Sequence, residues 1–349
     1  MHKLDDNMFN RRHQRHHPKL KTWRYAGLML TYRCTAACRF CYYYCSPQAN
    51  GLMPTAIALD AWDRLVRMTG DRAGIHITGG EPFLYFERLA EILQQAHRLK
   101  LTGLDSVETN ADWGDNEHDI SDKLKFLDSV GMKRLKISWD PFHEEFVALE
   151  SVQRLAAIAR TVLGPQRVLI RWERYLTHPS EIKNQNEQDR LVTLLNALKS
   201  DRARLTGRAA EALGPAAARY PAGHFREQDC QKALLSAKGV HIDPYGNVFN
   251  GQCSGMAIGN ITQLPLDALW KSWQPDRDDF WNILYHAGPW GFIEQACSTG
   301  YVLREKYASK CHLCTDIRRF FFDKKRYSPI ITPNDCYGRY KPENAFGQR

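Results

Sequence analysis

Three cysteines stand close together at Cys34, Cys38 and Cys41, separated by three and then two residues. Thiols this close, in a chain that opens on no secretory signal, read as metal ligands rather than as a disulfide framework. Three thiolates satisfy three irons of a [4Fe-4S] cube and leave the fourth iron open to a small molecule. A structural zinc ion wants four ligands instead, and Cys45 is near enough in sequence to be the fourth. A second set lies far downstream, at Cys230, Cys253 and the pair Cys311-x-x-Cys314. Four cysteines from separated segments make a closed centre, either a second cluster or a structural zinc. Cys297 and Cys336 complete the ten and are read first as free cysteines.

The elements that must position these thiols follow from patterning. Apolar runs alternate with helical spacing: strands at 26–31, 75–78, 104–109, 135–139 and 167–172, helices at 58–68, 86–99, 120–130, 144–163 and 181–198. That alternation predicts βαβ units and a mostly parallel α/β sheet, with ligands at the carboxyl ends of the strands. Beyond residue 206 the pattern changes. An Ala/Gly/Pro-rich connector at 209–222 leads to a hairpin at 238–249, turning on Pro244-Tyr245-Gly246-Asn247. A helix at 266–273 follows, then 280–307 as helix in two pieces broken near Gly288-Pro289. This smaller α+β region carries six of the ten cysteines.

The 349 residues suit one large domain, or a large and a small one, and 43% hydrophobic content allows a sizeable core. Charged residues at 25% are near the globular average and argue against wholesale disorder. The net charge of +9 is spread, with local excesses at 11–21 and 318–326, and reads mainly as solvated surface. No apolar run reaches the length of a membrane span, so no membrane partner is expected. The basic, His-rich start has no apolar segment of a signal peptide, which makes the cytoplasm the default location.

The second strand runs into Gly79-Gly80-Glu81-Pro82. This turn, together with the Cys-x3-Cys-x2-Cys loop carrying Phe40 before its last cysteine, resembles the radical S-adenosylmethionine (radical SAM) superfamily. The resemblance implies a partial (β/α)6 TIM-like barrel over 26–205, preceded by a basic extension at 1–25. It further implies a [4Fe-4S] cluster on Cys34, Cys38 and Cys41 that binds S-adenosylmethionine. Phe40, Gly79, Gly80, Glu81 and Pro82 would then contact the cofactor, the turn lying near its methionine amino group. Asn110 and Ser138, at later strand ends, would lie near its ribose and carboxylate, and Arg171 would pair with the carboxylate. Each of these three is equally a turn or capping residue on its own. Asp140 opens the run Asp140-Pro141-Phe142-His143-Glu144-Glu145 and is expected to face the ribose or the substrate. Glu144 and Glu145 read as dipole-complementing residues of a helix start. Tyr42, Tyr43 and Tyr44 are expected to pack around the loop.

Residues 206–349 resemble the SPASM/twitch extension of such enzymes, through Thr206-Gly207-Arg208-Ala209, Gly251-Gln252-Cys253 and Ile258-Gly259-Asn260-Ile261. Phe320 stands where a full SPASM domain has a further cysteine, so the shorter twitch form with one auxiliary [4Fe-4S] cluster fits better. The chemistry implied is reductive cleavage of S-adenosylmethionine to a 5′-deoxyadenosyl radical, which abstracts hydrogen from a substrate. The electron would come from a reductant such as flavodoxin or ferredoxin. An auxiliary cluster that accepts the substrate electron implies an oxidoreductase, first of all one modifying a ribosomal peptide. Dehydrogenation or epimerisation of a small molecule or residue is the alternative, with Cys45 as hydrogen-atom donor. The 25 or so residues before the first strand are too few for a separate recognition domain, so a peptide would be bound directly or brought by another protein. A different class is a non-catalytic metal-binding module on nucleic acid. Such a module has no use for a Gly-Gly-Glu-Pro turn beside a three-cysteine loop, and no helix-turn-helix or zinc-finger spacing is present, so a nucleic-acid partner is not expected.

Overall fold

In the computed structural model, which describes residues 2–200, 204–251 and 253–339, the apolar runs form eight strands. They are β1 (Tyr25–Met29), β2 (Gly74–Thr78), β3 (Leu104–Thr109), β4 (Arg134–Ser138), β5 (Val168–Arg171), β6 (Gly239–Ile242), β7 (Asn247–Asn250) and β8 (Ala257–Asn260). One sheet holds them all, in the order β5-β4-β3-β2-β1-β6-β7-β8, and it does not close. The first six pair in parallel, while β7 and β8 add antiparallel strands at one end. This is the mostly parallel sheet that the strand–helix alternation predicts and the partial barrel that the family resemblance implies, with its sixth parallel strand supplied by the C-terminal hairpin.

The connections between strands are the helices α1 (Thr55–Thr69), α2 (Phe86–Arg98), α3 (Glu117–Ser129), α4 (Leu149–Leu163) and α5 (Glu187–Ser200). Helix α1 buries Ala58, Ala61, Trp62, Leu65 and Met68, a stripe at three- and four-residue spacing. Helix α2 does the same with Leu89, Ile92, Leu93 and Ala96. Asn116 starts α3 by accepting hydrogen bonds from the His118 and Asp119 amides. One expectation is corrected here: 144–163 is not one helix. A single turn at Pro141–Glu144 precedes α4, because Ala148 is extended (φ −78, ψ 136). The Glu144 carboxylate accepts the amides of Ser180 and Ile182 at 2.9 and 3.3 Å instead of serving a helix dipole.

The two faces of the sheet differ. Leu28, Ile75, Ile77, Val107, Leu135, Ile137 and Ile170 belong to the buried apolar core. The alternate positions are small or polar, and cross-strand register joins them: Gly27 pairs with both His76 and His241, His76 with Ser106, Glu108 with Lys136, and Ser138 with Arg171. Gly27 has to be glycine, since a Cβ there would lie 2.4 Å from the His241 ring. Downstream come α6 (Leu266–Ser272), α7 (Asp279–Ala287) and α8 (Lys310–Asp323). The N-terminal extension lies against α6, where Asn7 bonds the Trp273 carbonyl at 3.2 Å and Trp270 bonds that of Lys21 at 3.1 Å. Among the described residues no helix is long and apolar enough to cross a membrane.

Candidate active site

The loop after β1 brings Cys34, Cys38 and Cys41 to the rim of the sheet, where all three line one cavity of about 280 Å³. Backbone amides point at the sulfurs: Ala36 N–H at Cys34 Sγ (3.4 Å) and Cys45 N–H at Cys41 Sγ (3.2 Å). Donors aimed at sulfur favour thiolate, the form that binds metal, but at Cys34 burial outweighs the Ala36 amide and pushes the thiol pKa up. The Cys45 thiol and the Arg208 guanidinium favour thiolate at Cys41 and, against burial, lower its pKa.

Two arginines fix the loop, one within it and one beyond it. Arg39 clamps the Glu187 carboxylate at 2.7 and 3.0 Å. Arg208, from the junction beyond α5, donates to the carbonyls of Cys38 (2.9 Å), Tyr44 (2.7 Å) and Cys45 (3.0 Å). Gly207 lets it approach, for a Cβ there would sit 2.1 Å from the Tyr42 carbonyl oxygen.

The glycine turn follows β2. Gly79 and Gly80 line the cavity, and a Cβ on Gly80 would fall 1.9 Å from the Arg33 carbonyl oxygen. The same strand-end geometry delivers Thr78, Glu108, Thr109, Asn110, Ser138, Arg171 and His241 to the cavity wall. Residues 28–162, which hold the loop, the turn and the first four strand ends, match the family model of the Radical SAM superfamily. This segment is a radical SAM domain.

Other comparisons are more distant. The chain is 24% identical over 136 residues to the "Putative peptide biosynthesis protein YydG" of Bacillus subtilis (strain 168). That match covers 38% of this chain and about two fifths (41%) of the relative. Among solved structures, BtrN in complex with AdoMet and 2-DOIA is similar at a TM-score of 0.47 and 14% identity, over 77% of this chain and 89% of that one. Native anSMEcpe with bound AdoMet and Cp18Cys peptide gives 0.43 and 12%, over 86% and 97%.

The expected cofactor contacts of the radical SAM domain divide into two groups. Phe40, Gly79, Gly80, Asn110, Ser138 and Arg171 line the cavity together with the three cysteines and Cys45. Phe40 is stacked on Phe142 at 4.9 Å. Arg171 lays its guanidinium over the Trp172 ring at 4.2 Å. Glu81 and Pro82 sit behind the wall. The Glu81 carboxylate is buried and accepts from the Asn110 amide (2.8 Å), the Phe83 amide (3.1 Å) and the Thr109 hydroxyl (2.9 Å), so it braces the turn against β3. Burial outweighs these bonds and raises its pKa to about 7. Asp140, too, is behind the wall and 1% exposed. One of its oxygens accepts the Phe142 and His143 amides and His143 Nδ1 (2.8 Å), and the other has no partner.

His143 was not anticipated, and it is His143 that reaches the cavity. Burial works against its charge, but Asp140 and Glu108 raise its pKa above the ordinary histidine value. Glu108 was passed over as well. Its carboxylate receives His76 Nε2 at 2.8 Å and the Ser138 hydroxyl at 2.7 Å. Burial alone would raise its pKa, but these bonds and the nearby His76 and Arg171 charges hold it well below the carboxylate range. The signal was present as period-two polar residues (76/78, 106/108, 136/138) that alternate with Ile77, Val107 and Ile137.

The second set of cysteines also comes together. Cys230, Cys253, Cys311 and Cys314 line a separate cavity of about 540 Å³. Cys311 and Cys314 share one face of α8, while Cys253 follows β7. One hydrogen bond links the two cavities: His241 lines the first and donates from Nδ1 to the carbonyl of Gly251 (2.8 Å), which lines the second. Cys336 belongs to neither lining, and its sulfur meets the Tyr32 hydroxyl at 3.4 Å. Among the described residues no three His, Cys, Asp or Glu side chains are gathered tightly enough to hold a single metal ion.

Proposed function

We propose that this protein is a radical SAM enzyme that oxidatively modifies a peptide. The observation that carries the reading is the gathering, in one cavity, of Cys34, Cys38 and Cys41 with the glycine turn and the polar strand ends. Three thiolates with amides aimed at two of them suit a [4Fe-4S] cluster with one open iron. With S-adenosylmethionine bound, such a cluster supplies the 5′-deoxyadenosyl radical by reductive cleavage.

The chain's own residues then do the rest. Gly79 and Gly80 would admit the cofactor close to the backbone, and Arg171 would pair with its carboxylate. Phe40 packs beside it. Glu108, held ionised by His76 and Ser138, offers a fixed anionic acceptor for a hydroxyl or ammonium. His143, oriented by Asp140, takes up a proton at Nε2 when the substrate is oxidised. Cys230, Cys253, Cys311 and Cys314 would hold an auxiliary [4Fe-4S] cluster, which would supply an electron acceptor for the oxidation, and the His241–Gly251 bond links its cavity to the first. A peptide substrate is supported by the name of the Bacillus relative, a putative peptide biosynthesis protein. A flavodoxin or ferredoxin would supply electrons, and the reducing cytoplasm suits the thiols. Epimerisation is the second reading, favoured by Cys45, which lines the same cavity as a thiol able to return hydrogen.

Anaerobic protein with S-adenosylmethionine and dithionite tests the reading. Wild type should form 5′-deoxyadenosine and a C34A/C38A/C41A variant none. Equal amounts from both would refute it.

A further inference from the structure

Among the described residues, the second cavity holds a cation that is paired with no carboxylate. Arg318 lies on α8, four residues beyond Cys314 and seven beyond Cys311, on the face that carries both. It is 3% exposed. One terminal nitrogen donates to the Ser254 carbonyl at 2.7 Å and the other to the Thr315 hydroxyl at 3.1 Å. Its Nε–H is buried with no partner. Guanidinium does not give up its charge in a protein. Burying it without an anion, and with one donor unmade, is costly.

The surroundings say what is missing. Besides the four cysteines, Arg204, Lys232, Lys310 and Arg318 line the cavity, and among the described residues no carboxylate does. Four thiolates around a 2+ iron-sulfur core carry about two net negative charges, and one more after reduction. A group of that charge answers both deficits, and sulfur accepts N–H bonds.

We propose that Arg318 is the internal counter-charge of the group held by Cys230, Cys253, Cys311 and Cys314, donating from Nε to sulfur and favouring its reduced, more negative state. This rests on the auxiliary-cluster reading above. It assigns Arg318 as a positioning and tuning residue: the cation makes the centre a better electron acceptor for an oxidised substrate.

The test uses the full chain in the C34A/C38A/C41A background, so that only the second centre reports. Wild-type, R318Q and R318K versions are reconstituted anaerobically, assayed for iron and titrated redox-potentiometrically by EPR. About four irons in each are expected. At a fixed poise the reduced-to-oxidised ratio should fall at least tenfold in R318Q, equivalent to about 59 mV for one electron. R318K, which keeps the charge, should stay within threefold of its parent. Loss of iron from R318Q but not from R318K would also support the proposal. A loaded R318Q with an unchanged ratio would overturn it and leave the cluster reading intact. So would loss of iron from both variants, since charge would then not be what the site needs. A parent that binds no iron would remove the cluster reading, and the proposal with it.

Discussion

The two thiol-lined cavities use the same ligand type in opposite electrostatic settings. Around Cys34, Cys38 and Cys41 the wall carries Glu108 and His143, with buried carboxylates of Glu81 and Asp140 just behind it. Around Cys230, Cys253, Cys311 and Cys314 the described residues supply four cations and no acid. A site that must take in a sulfonium and an ammonium gains from acceptors near its rim, and three thiolates suffice there. A site closed by four thiolates has no guest to attract and needs only to have its charge balanced. On the proposed reading, the first is an opening built at strand ends, and the second would hold an anion between one helix face and a hairpin.

The strongest way to break this comparison is to empty each site in turn. C34A/C38A/C41A should lower 5′-deoxyadenosine formation by at least about a thousandfold, because the reaction has no route left. C311A/C314A should remove about half the iron, yet keep that formation within about tenfold. Quantified deoxyadenosine and iron decide it, and equal loss of deoxyadenosine in both would mean that the second site does not act apart from the first.

Glycine substitutions sharpen the contrast in packing. An alanine Cβ at position 80 meets backbone, the Arg33 carbonyl oxygen at 1.9 Å, which no side-chain movement relieves. At Gly251, beside the second cavity, the nearest atom is the Ala237 methyl at 3.8 Å and only the positive φ of 53 opposes a side chain. Denaturant unfolding should show G80A destabilised by about 3 kcal/mol or more and G251A by about 1 kcal/mol. Equal effects would mean that the turn is not packed as tightly as described.

Much of this was legible in the sequence. Helical and strand periods located every strand of the radical SAM domain to within two residues, because each element has one apolar face to bury. Glycine spacing marked the turn for the same reason that 80 resists a side chain. What was hidden depends on tertiary partners. Nothing in Gly239–Ile242 says that it will lie beside β1, since that requires Gly27 to leave room for His241. Leu149–Leu163 looks continuous with 144–148 until the Glu144 carboxylate is seen to serve Ser180 and Ile182. Asp140 was favoured because carboxylates at strand ends do chemistry, yet its shape as an N-cap turns it toward backbone and puts His143 forward. Arg318 was read as part of a surface charge excess, because burial is not written in composition.

Glu81 gives a pH test confined to the first region. Its pKa is about 7 when folded and 4.5 ordinarily. Between those values the native state holds the proton more firmly than the unfolded chain does, so stability falls as pH rises from 4.5 to 7 and this contribution is flat beyond. The raised value corresponds to about 3 kcal/mol as an upper figure. Unfolding free energies measured across that window should decline in wild type, and the decline should shrink in E81Q, where the side chain stays neutral. Parallel curves for the two proteins would show that Glu81 is not the buried acid responsible.

The smallest effect is expected at Arg208, where the C-terminal part of the chain holds the cluster loop of the N-terminal part. R208A removes three bonds to the carbonyls of Cys38, Tyr44 and Cys45, each worth about 0.5–1.5 kcal/mol net. Part of that loss is made good by water, because the guanidinium is only half-buried, so the loop should loosen by about 1–2 kcal/mol without unfolding. The consequence is local: in air, iron from the first site should be released about tenfold faster, while the second site keeps its wild-type rate. Following iron release in the two cysteine-depleted backgrounds separates the sites. If R208A speeds both equally, the arginine supports the chain as a whole. If it speeds only the first, the junction after α5 is what makes a three-cysteine loop rigid enough to leave one coordination position open.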